Sequence, residues 1–273
     1  MHAASREALA QVNAQLDEAL GQAGEGAIGV GAHIGAELFS VVEILDQDRS
    51  LRVALADATA APAARASLAQ SVFGSQISAA TGELLQTAST ATWSNPREYR
   101  TGLIAVGRQA LLRSAESQGQ LEKVEQELFQ LSLLLDKQPE LTLLLDDHSA
   151  TPARRRELLA SVLYGKVTAV TEALALQAIG RREHNAIDDI AALATTAAAL
   201  RGRKVARVTT VTTLSEQQEA ALASKLEGIY GQPIAIHQAI DASLLGGAVV
   251  RVDDEVIDGS LTGKLARLRT AFA

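Results

Sequence analysis

Apolar residues recur every three or four positions through much of the chain, which predicts a protein built mainly of helices. The stripe is most regular in residues 120–136, where the successive spacings are three, four, three and four: Leu121, Val124, Leu128, Leu131 and Leu135. About six helices are predicted between residues 103 and 204, and the short loops between them indicate an antiparallel bundle. They cover residues 104–117, 120–136, 138–145, 154–163, 167–179 and 186–200.

After residue 204 the apolar period changes from that of a helix to that of a strand. A strand rich in Val and Thr is predicted at residues 205–213, and Ser215 and Gln218 have the spacing of a capping box that starts a helix through Gly228. Further strands are predicted at residues 233–237, 248–252 and 255–257. A final helix carries the stripe Leu261, Leu265, Leu268 and Phe272. This order predicts a small α+β domain.

The predicted helical region contains an internal duplication. A shift of 90 residues matches residues 37–72 with residues 127–162 without a gap, and 15 of 36 positions are identical. The identities include Glu-Leu-Phe, Asp and Pro, which a shared richness in Ala does not explain. Because the unit is longer than a solenoid repeat, the match indicates duplication of a helical domain.

The first copy is rich in glycine between Gly21 and Gly35. Glycine weakens a helix, so the second helix of this copy is predicted to begin late, near Gly31. The fold class is therefore α+β and mainly α, with two related helical bundle domains, the first of them partial, before a small α+β C-terminal domain. The predicted domains are residues 1–102, 103–204 and 205–273.

The composition narrows the classes of function. The formal net charge of −7 predicts no nucleic-acid partner, because such a binder needs a basic face. The absence of Cys excludes disulfides and thiolate metal sites. Neither a secretory leader nor a run of 18 uninterrupted apolar residues is found, so we expect a cytoplasmic location and no membrane span of the chain's own.

Candidate catalytic groups have simpler structural explanations. Asp253, Asp254 and Glu255 fit a hairpin turn and Asp258 fits a helix cap, so an acid/base cluster is the less favoured interpretation. The histidines are scattered, with none at the spacing that places two metal ligands on one helix face. The letters of a dinucleotide fingerprint at residues 24–29 follow a helix, whereas the motif must follow a strand. We predict no catalytic site, no cofactor and no metal.

A stripe of small residues marks the predicted helix 104–117: Gly107, Ala110, Ser114 and Ser117. Two interpretations remain open. The stripe packs against an internal neighbour, which is the default for a regular stripe, or it seats a helix of a partner protein.

The end of the chain is similar to a known family. Asp241 precedes Leu-Leu-Gly246-Gly247 and a valine-rich strand, and Val-Ile-Asp258-Gly259-Ser260 then precedes a helix of Lys, Arg and Leu. This succession closely resembles the C-terminal signature of the delta subunit of F-type ATP synthases, which is homologous to the oligomycin-sensitivity-conferring protein. Residues 208–218 and 180–182 are similar to further segments of that family. The similarity begins at about Ala105 and leaves an N-terminal extension.

The resemblance implies a non-catalytic subunit of the peripheral stalk, the stator of the enzyme. Its expected partners are the alpha subunits of the catalytic head and the membrane-anchored b subunit, which would hold it at the cytoplasmic face of the cell membrane. In the family the first and fifth helices of the bundle receive an N-terminal helix of alpha, and the family commonly has Tyr where this chain has Gln109. The matching positions are Gly107, Ala110, Ser114, Ser117, Ala169, Ala173 and Leu176. The signature positions are Asp241, Gly246, Gly247, Asp258, Gly259 and Ser260.

Two alternatives remain. The first is a helical adaptor of unrelated function, and the second is a nucleotide-binding enzyme that uses the glycine-rich segment.

Overall fold

A computed structural model describes residues 1–181 and 183–271, and its chain divides into two compact units. Unit 1 is Met1–Leu121 and unit 2 is Glu122–Ala273. The mainly α, α+β class is confirmed, since helices fill most of the chain and a four-stranded sheet lies near its end. The predicted domains 1–102, 103–204 and 205–273 remain a prediction.

Unit 1 is helical throughout, and every one of its residues is described. Its helices are α1 (Ala3–Ala23), α2 (Ala27–Gln47), α3 (Arg49–Ala56), α4 (Pro62–Phe73), α5 (Ala79–Thr90) and α6 (Pro96–Ser117). Side chains that accept hydrogen bonds from free amides begin three of them: Asp48, Ser78 and Asn95. Proline occupies the first turn of α4 and α6, where its missing N–H costs nothing.

The glycine-rich segment is helical, so the predicted start of the second helix near Gly31 is wrong. A short 3₁₀ turn at Gly24–Gly26 separates α1 from α2, and α2 begins at Ala27. A Cβ atom on Gly31 would lie 2.8 Å from the carbonyl oxygen of Ala110 in α6. On Gly35 it would lie 3.0 Å from the carbonyl oxygen of Gly107. The glycines therefore let the backbones of α2 and α6 approach closely, and this packing offsets their low helix propensity.

The helical run Ala3–Gln47 is, by length and composition alone, apolar enough to cross a membrane. Its apolar side chains lie instead in the core of unit 1, where Val12, Leu16, Ile34 and Leu38 are buried. A buried core helix meets the same criterion of length and composition as a membrane-spanning one.

Unit 2 begins with five helices. They are α7 (Leu121–Lys137), whose first residue belongs to unit 1, α8 (Pro139–Leu145), α9 (Pro152–Leu163), α10 (Ala169–Gly180) and α11 (Ala186–Leu200). Their buried side chains include Leu128, Leu135, Leu145, Leu159 and Leu174. The helix predicted at residues 104–117 is the second half of α6, which packs within unit 1.

The duplication is visible in the bounds and caps of the helices. The bounds of α4 and α9, and likewise those of α5 and α10, differ by the 90 residues of the sequence match. Asn95 and Asn185 cap α6 and α11 at the same offset. In each copy, a glutamate also accepts hydrogen bonds from the residue that begins a later helix. Glu37 accepts hydrogen bonds from the Ser78 amide at 2.9 Å and hydroxyl at 2.7 Å, and Glu127 accepts both from Thr168 at 2.9 Å.

The sheet of unit 2 consists of β1 (Lys204–Thr210), β2 (Ile234–Ile240), β3 (Ala248–Val252) and β4 (Glu255–Asp258), in the order β2-β1-β3-β4. β1 pairs parallel with β2 and antiparallel with β3, as in the register Val208 opposite Val250. Helix α12 (Glu216–Tyr230) connects β1 to β2, and the capping box of Ser215 and Gln218 is confirmed. Its Leu226 joins the apolar side of the sheet in one core.

Helix α13 (Leu261–Ala271) ends the described chain. The predicted strands and final helix are confirmed with small shifts in their bounds. Phe272 of the predicted stripe and Arg182 of the matched segment lie outside the described residues.

We expect the α2–α6 contact to respond in opposite directions to two neighbouring substitutions. Gly31→Ala places a methyl group against a backbone oxygen of α6 and should lower the free energy of unfolding by about 1–3 kcal/mol. Gly29→Ala adds a methyl group where no atom lies within 4 Å and should raise it by about 0.5–1 kcal/mol. Urea denaturation followed by circular dichroism measures both. Equal effects of the two substitutions would contradict this account of the glycines.

Candidate partner-binding surfaces

The small-residue face of α6 is filled from within unit 1. Gly107, Ala110 and Ser114 are buried, and the hydroxyl of Ser114 donates to the carbonyl oxygen of Ile28 in α2 at 2.7 Å. A Cβ atom on Gly107 would meet the ring of Phe39 at 2.7 Å. For these three residues the structure therefore shows the first interpretation, in which the stripe packs against an internal neighbour. Ser117 is exposed, and its hydroxyl donates to the carbonyl oxygen of Arg113 at 3.0 Å.

The other positions implied for an alpha helix lie on α10 in unit 2. Ala169, Ala173 and Leu176 follow one another at spacings of four and three, so they share one face of the helix. Ala169 is exposed, and the other two are partly buried. This face is a shallow apolar stripe that remains open to solvent. The groove between the first and fifth helices of the family remains a prediction.

The C-terminal signature residues are brought together in one turn. Gly246 and Gly247 have φ values of +147° and +78°, as their sequence predicts, and Leu245 also has a positive φ. The Gly246 carbonyl oxygen accepts a hydrogen bond from the Leu261 amide at 2.9 Å. The Gly259 amide donates to the carbonyl oxygen of Ala248, also at 2.9 Å. Backbone hydrogen bonds therefore attach the start of α13 to the turn before β3 and to the first residue of that strand.

Acidic side chains of the signature cap backbone amides. Asp258 accepts from the Ser260 amide at 2.9 Å, and Ser260 Oγ accepts from the Gly263 amide at 2.9 Å. Asp241 accepts from the Ser243 amide at the same distance. Hydrogen bonds from Ser260 and from Ser243 hold the pKa values of Asp258 and Asp241 below their usual range. These carboxylates stay ionised as caps, and for Asp258 this is the structural interpretation that the sequence favoured over acid/base chemistry.

Large apolar side chains around this signature face solvent. Leu245 is 69% exposed and Leu265 is 55% exposed, and β4 forms an edge of the sheet. The other members of this set, which we call the C-terminal apolar surface, are Val256, Ile257 and Leu261. Exposed apolar side chains in such number typically mark an interaction site. The stripe on α13 is visible in the sequence, but an amphipathic pattern alone does not tell whether its face is buried.

A buried charge network ties the sheet to the helices of unit 2. Glu125 of α7 accepts from Arg201 Nη1 at 2.7 Å and lies 2.9 Å from Nε2 of His237 in β2. The imidazole ring of His237 also stacks on Phe129, with the ring centroids 4.3 Å apart. Burial acts to raise the pKa of Glu125, but the hydrogen bonds from His237 and Arg201 outweigh it and lower the pKa. The sequence gives no sign of this network, because its members lie far apart along the chain.

The nucleotide fingerprint has the wrong surroundings. Residues 24–29 form the 3₁₀ turn and the first residues of α2, and the element before them is α1 rather than a strand. A phosphate-binding turn requires the end of a strand followed by a helix start.

Known proteins match this chain along its whole length. Residues 108–272 match the family model described as the ATP synthase delta (OSCP) subunit. Proteins named ATP synthase subunit delta are similar over all 273 residues: that of Corynebacterium diphtheriae is 63% identical over its whole length, and that of Corynebacterium efficiens is 58% identical over 99% of its length. A chain of the Toxoplasma gondii mitochondrial ATP synthase hexamer is 22% identical, with a TM-score of 0.34, over 60% of this chain and 94% of that one.

We expect the turn of the signature to depend on Gly247. In Gly247→Ala the new methyl group would lie 2.5 Å from the carbonyl oxygen of Gly259, and φ is already +78°. The free energy of unfolding should fall by about 2–4 kcal/mol. The control Gly228→Ala, in α12 with no atom within 4 Å, should raise it by about 0.5–1 kcal/mol. Hydrogen exchange should accelerate at the amides of Gly259 and Leu261, and unchanged protection there would refute the role of the turn.

We also expect Glu125 to stabilise unit 2 in a pH-dependent way. Glu125→Gln removes the buried partner of Arg201 and should lower the free energy of unfolding by about 3 kcal/mol at pH 7. Glu122→Gln removes the exposed partner of the same guanidinium, at 3.0 Å, and should cost less than about 1 kcal/mol.

The sign of the pH dependence follows from the lowered pKa of Glu125. The carboxylate stabilises the fold fully above its unfolded pKa, near 4.5, and this contribution disappears as the pH falls through the lower folded value. Urea denaturation from pH 7 to pH 3 should therefore show the difference between wild type and Glu125→Gln shrinking at the acid end. A difference that is constant with pH would contradict the assignment.

Proposed function

The chain belongs to the ATP synthase delta (OSCP) subunit family, and on that basis we propose that it is a non-catalytic subunit of the peripheral stalk. In this role it links the alpha subunits of the catalytic head to the membrane-anchored b subunit. It is held through b at the cytoplasmic face of the cell membrane. The family match over residues 108–272, together with relatives of the same length, carries this proposal.

The C-terminal apolar surface supports the part of the proposal that concerns b. A stator must bind another chain tightly enough to resist torque, and an apolar surface that receives an amphipathic helix provides such binding. Leu265 and Val256 offer exposed apolar contact area beside a turn that is fixed by backbone hydrogen bonds. Because the turn is rigid, little conformational entropy is lost when a helix binds.

The stripe on α10 supports the part that concerns alpha. Ala169 and Ala173 leave room for a second helix to approach closely, and the partly buried Leu176 supplies apolar contact. The non-catalytic role is supported by the use of Asp241 and Asp258 as caps.

We expect substitutions in the C-terminal apolar surface to weaken binding of b. Leu265→Glu and Val256→Glu each place a charge where an apolar contact is proposed, and each should raise the Kd for a synthetic peptide of the b C-terminal helix at least tenfold. The control Ile229→Glu changes an apolar residue on α12 that is at least as exposed, and it should leave the Kd unchanged. Fluorescence anisotropy with a labelled peptide measures the Kd, and circular dichroism verifies that each variant is folded. An unchanged Kd for both surface variants, or an equal loss in Ile229→Glu, would refute the proposed site.

A further inference from the structure

A groove in unit 2 shares no lining residue with either surface of the proposed function. It has a volume of about 430 Å³ and runs between α7 and α9, as far as Val167 before α10. Its floor is apolar: Leu131, Leu134, Val162, Leu163 and Val167. Leu134 lies outside the regular apolar stripe of α7, and its side chain is 43% exposed.

The walls of the groove are polar and positively charged. Lys123 and Lys166 stand on its rim with Gln126 and Gln130. Lys166 has no ion-pair partner among the described residues, and Lys123 is 4.0 Å from the nearest carboxylate oxygen, that of Glu127. Both lysines are exposed. The charge of Lys166 is therefore available to a partner, and that of Lys123 is held only by a long ion pair at an exposed position.

Glu127 also lines the groove, where its Oε1 makes the long contact with Lys123, and its other oxygen fixes the shape of the groove. One of its oxygens, Oε2, accepts from the Thr168 amide and hydroxyl, both at 2.9 Å, and from the Thr171 hydroxyl at 2.6 Å. These bonds attach the loop after α9, with Lys166 and Val167, to α7. The groove is thus pre-formed, and binding does not need to order its walls.

The duplication provides an internal comparison for this groove. Positions 90 residues earlier line a smaller cavity, of about 150 Å³, in the first copy: Ala36, Glu37, Ser40, Val41, Ile44, Phe73, Gln76 and Ile77. Phe73 and Ile77 stand where the second copy has Leu163 and Val167, so the apolar end of the first cavity carries larger side chains. The neutral Gln76 stands in place of Lys166. The same frame therefore carries a wide, basic groove in one copy and a narrow one without lysine in the other.

We propose that the groove of the second copy binds an amphipathic helix of another protein, with apolar residues on one face and Asp or Glu beside them. The apolar face would fill the floor at Leu134 and Leu163, and the carboxylates would pair with Lys123 and Lys166. A cleft between two helices with an apolar floor suits a helix, whose side chains at i, i+3 and i+4 form a ridge. A small polar ligand is disfavoured because the polar groups stand on the rim and do not converge on the floor. The proposal does not rest on the contacts with b or alpha proposed above.

The test uses the full-length chain and two designed peptides of about four helical turns. Both carry leucine at i, i+3, i+4 and i+7, and the remaining positions are mainly Glu in one peptide and Lys in the other. We expect the Glu peptide to bind saturably in fluorescence anisotropy, and the Lys peptide to bind at least tenfold more weakly. Raising the salt concentration should weaken binding of the Glu peptide, because the pairing charges are exposed.

Matched variants of the two copies locate the site. Lys123→Glu combined with Lys166→Glu should raise the Kd of the Glu peptide at least tenfold. His33→Glu combined with Gln76→Glu introduces two Glu residues at the equivalent positions of the first copy and should leave the Kd unchanged. Leu134→Gln should weaken binding, whereas Ile44→Gln should not.

A photo-crosslinking amino acid adds a readout that does not depend on affinity. Placed at Gln130 it should crosslink to the Glu peptide, and placed at the equivalent Ser40 it should not. No saturable binding of the Glu peptide, equal binding of both peptides, or equal losses in the variants of the two copies would each overturn the proposal. Leu265→Glu should leave this binding unchanged, which separates the result from that for the b subunit.

Discussion

Both helical regions depend on one interaction, in which a glutamate accepts hydrogen bonds from the residue that begins a helix 41 residues further along the chain. In the first copy it is Glu37 with Ser78, and in the second it is Glu127 with Thr168. A carboxylate at a helix N-terminus satisfies free amides and opposes the positive end of the helix dipole. Burial acts to raise the pKa of Glu37, but the hydrogen bonds from Thr81 and Ser78 outweigh it and lower the pKa, so the carboxylate stays charged. The two helices between the bonded ends must fit within the loop that this contact closes.

Local features of the fold could be predicted from the sequence, and features set by a distant partner could not. The strand Ala248–Val252 and the capping box at Ser215 depend on neighbours along the chain, and both were predicted. The helicity of the glycine-rich segment depends on α6, whose small residues are far away in the sequence. Helix propensity alone argues against glycine at every position, and only the packed partner shows why Gly31 and Gly35 are compatible with a helix.

The same division holds for the candidate sites. The signature turn could be foreseen because its glycines, its Asp258 and its Ser260 lie within one short segment, where positive φ angles and caps follow from residue type. The network of Glu125 and His237 joins residues 112 positions apart. No periodic pattern connects them, and a lone histidine in a strand looks like any other partly apolar residue. The face of α6 was ambiguous for a related reason, since a stripe of small residues fits an internal helix and a foreign one equally well.

Comparison of the two copies separates residues that build the frame from residues that set contacts. Glu37 and Glu127 make the same hydrogen bonds, so this position belongs to the frame. Two residues further on, Phe39 and Phe129 are also identical, but the two rings contact different neighbours. Phe39 packs on Gly107 of α6, whereas Phe129 stacks on His237 of the sheet. An aromatic ring suits both neighbours because it offers a large apolar face without requiring a hydrogen bond. A duplicated helix could thus keep its sequence and acquire a new contact, provided that the new neighbour offered a flat surface, as the imidazole of His237 does.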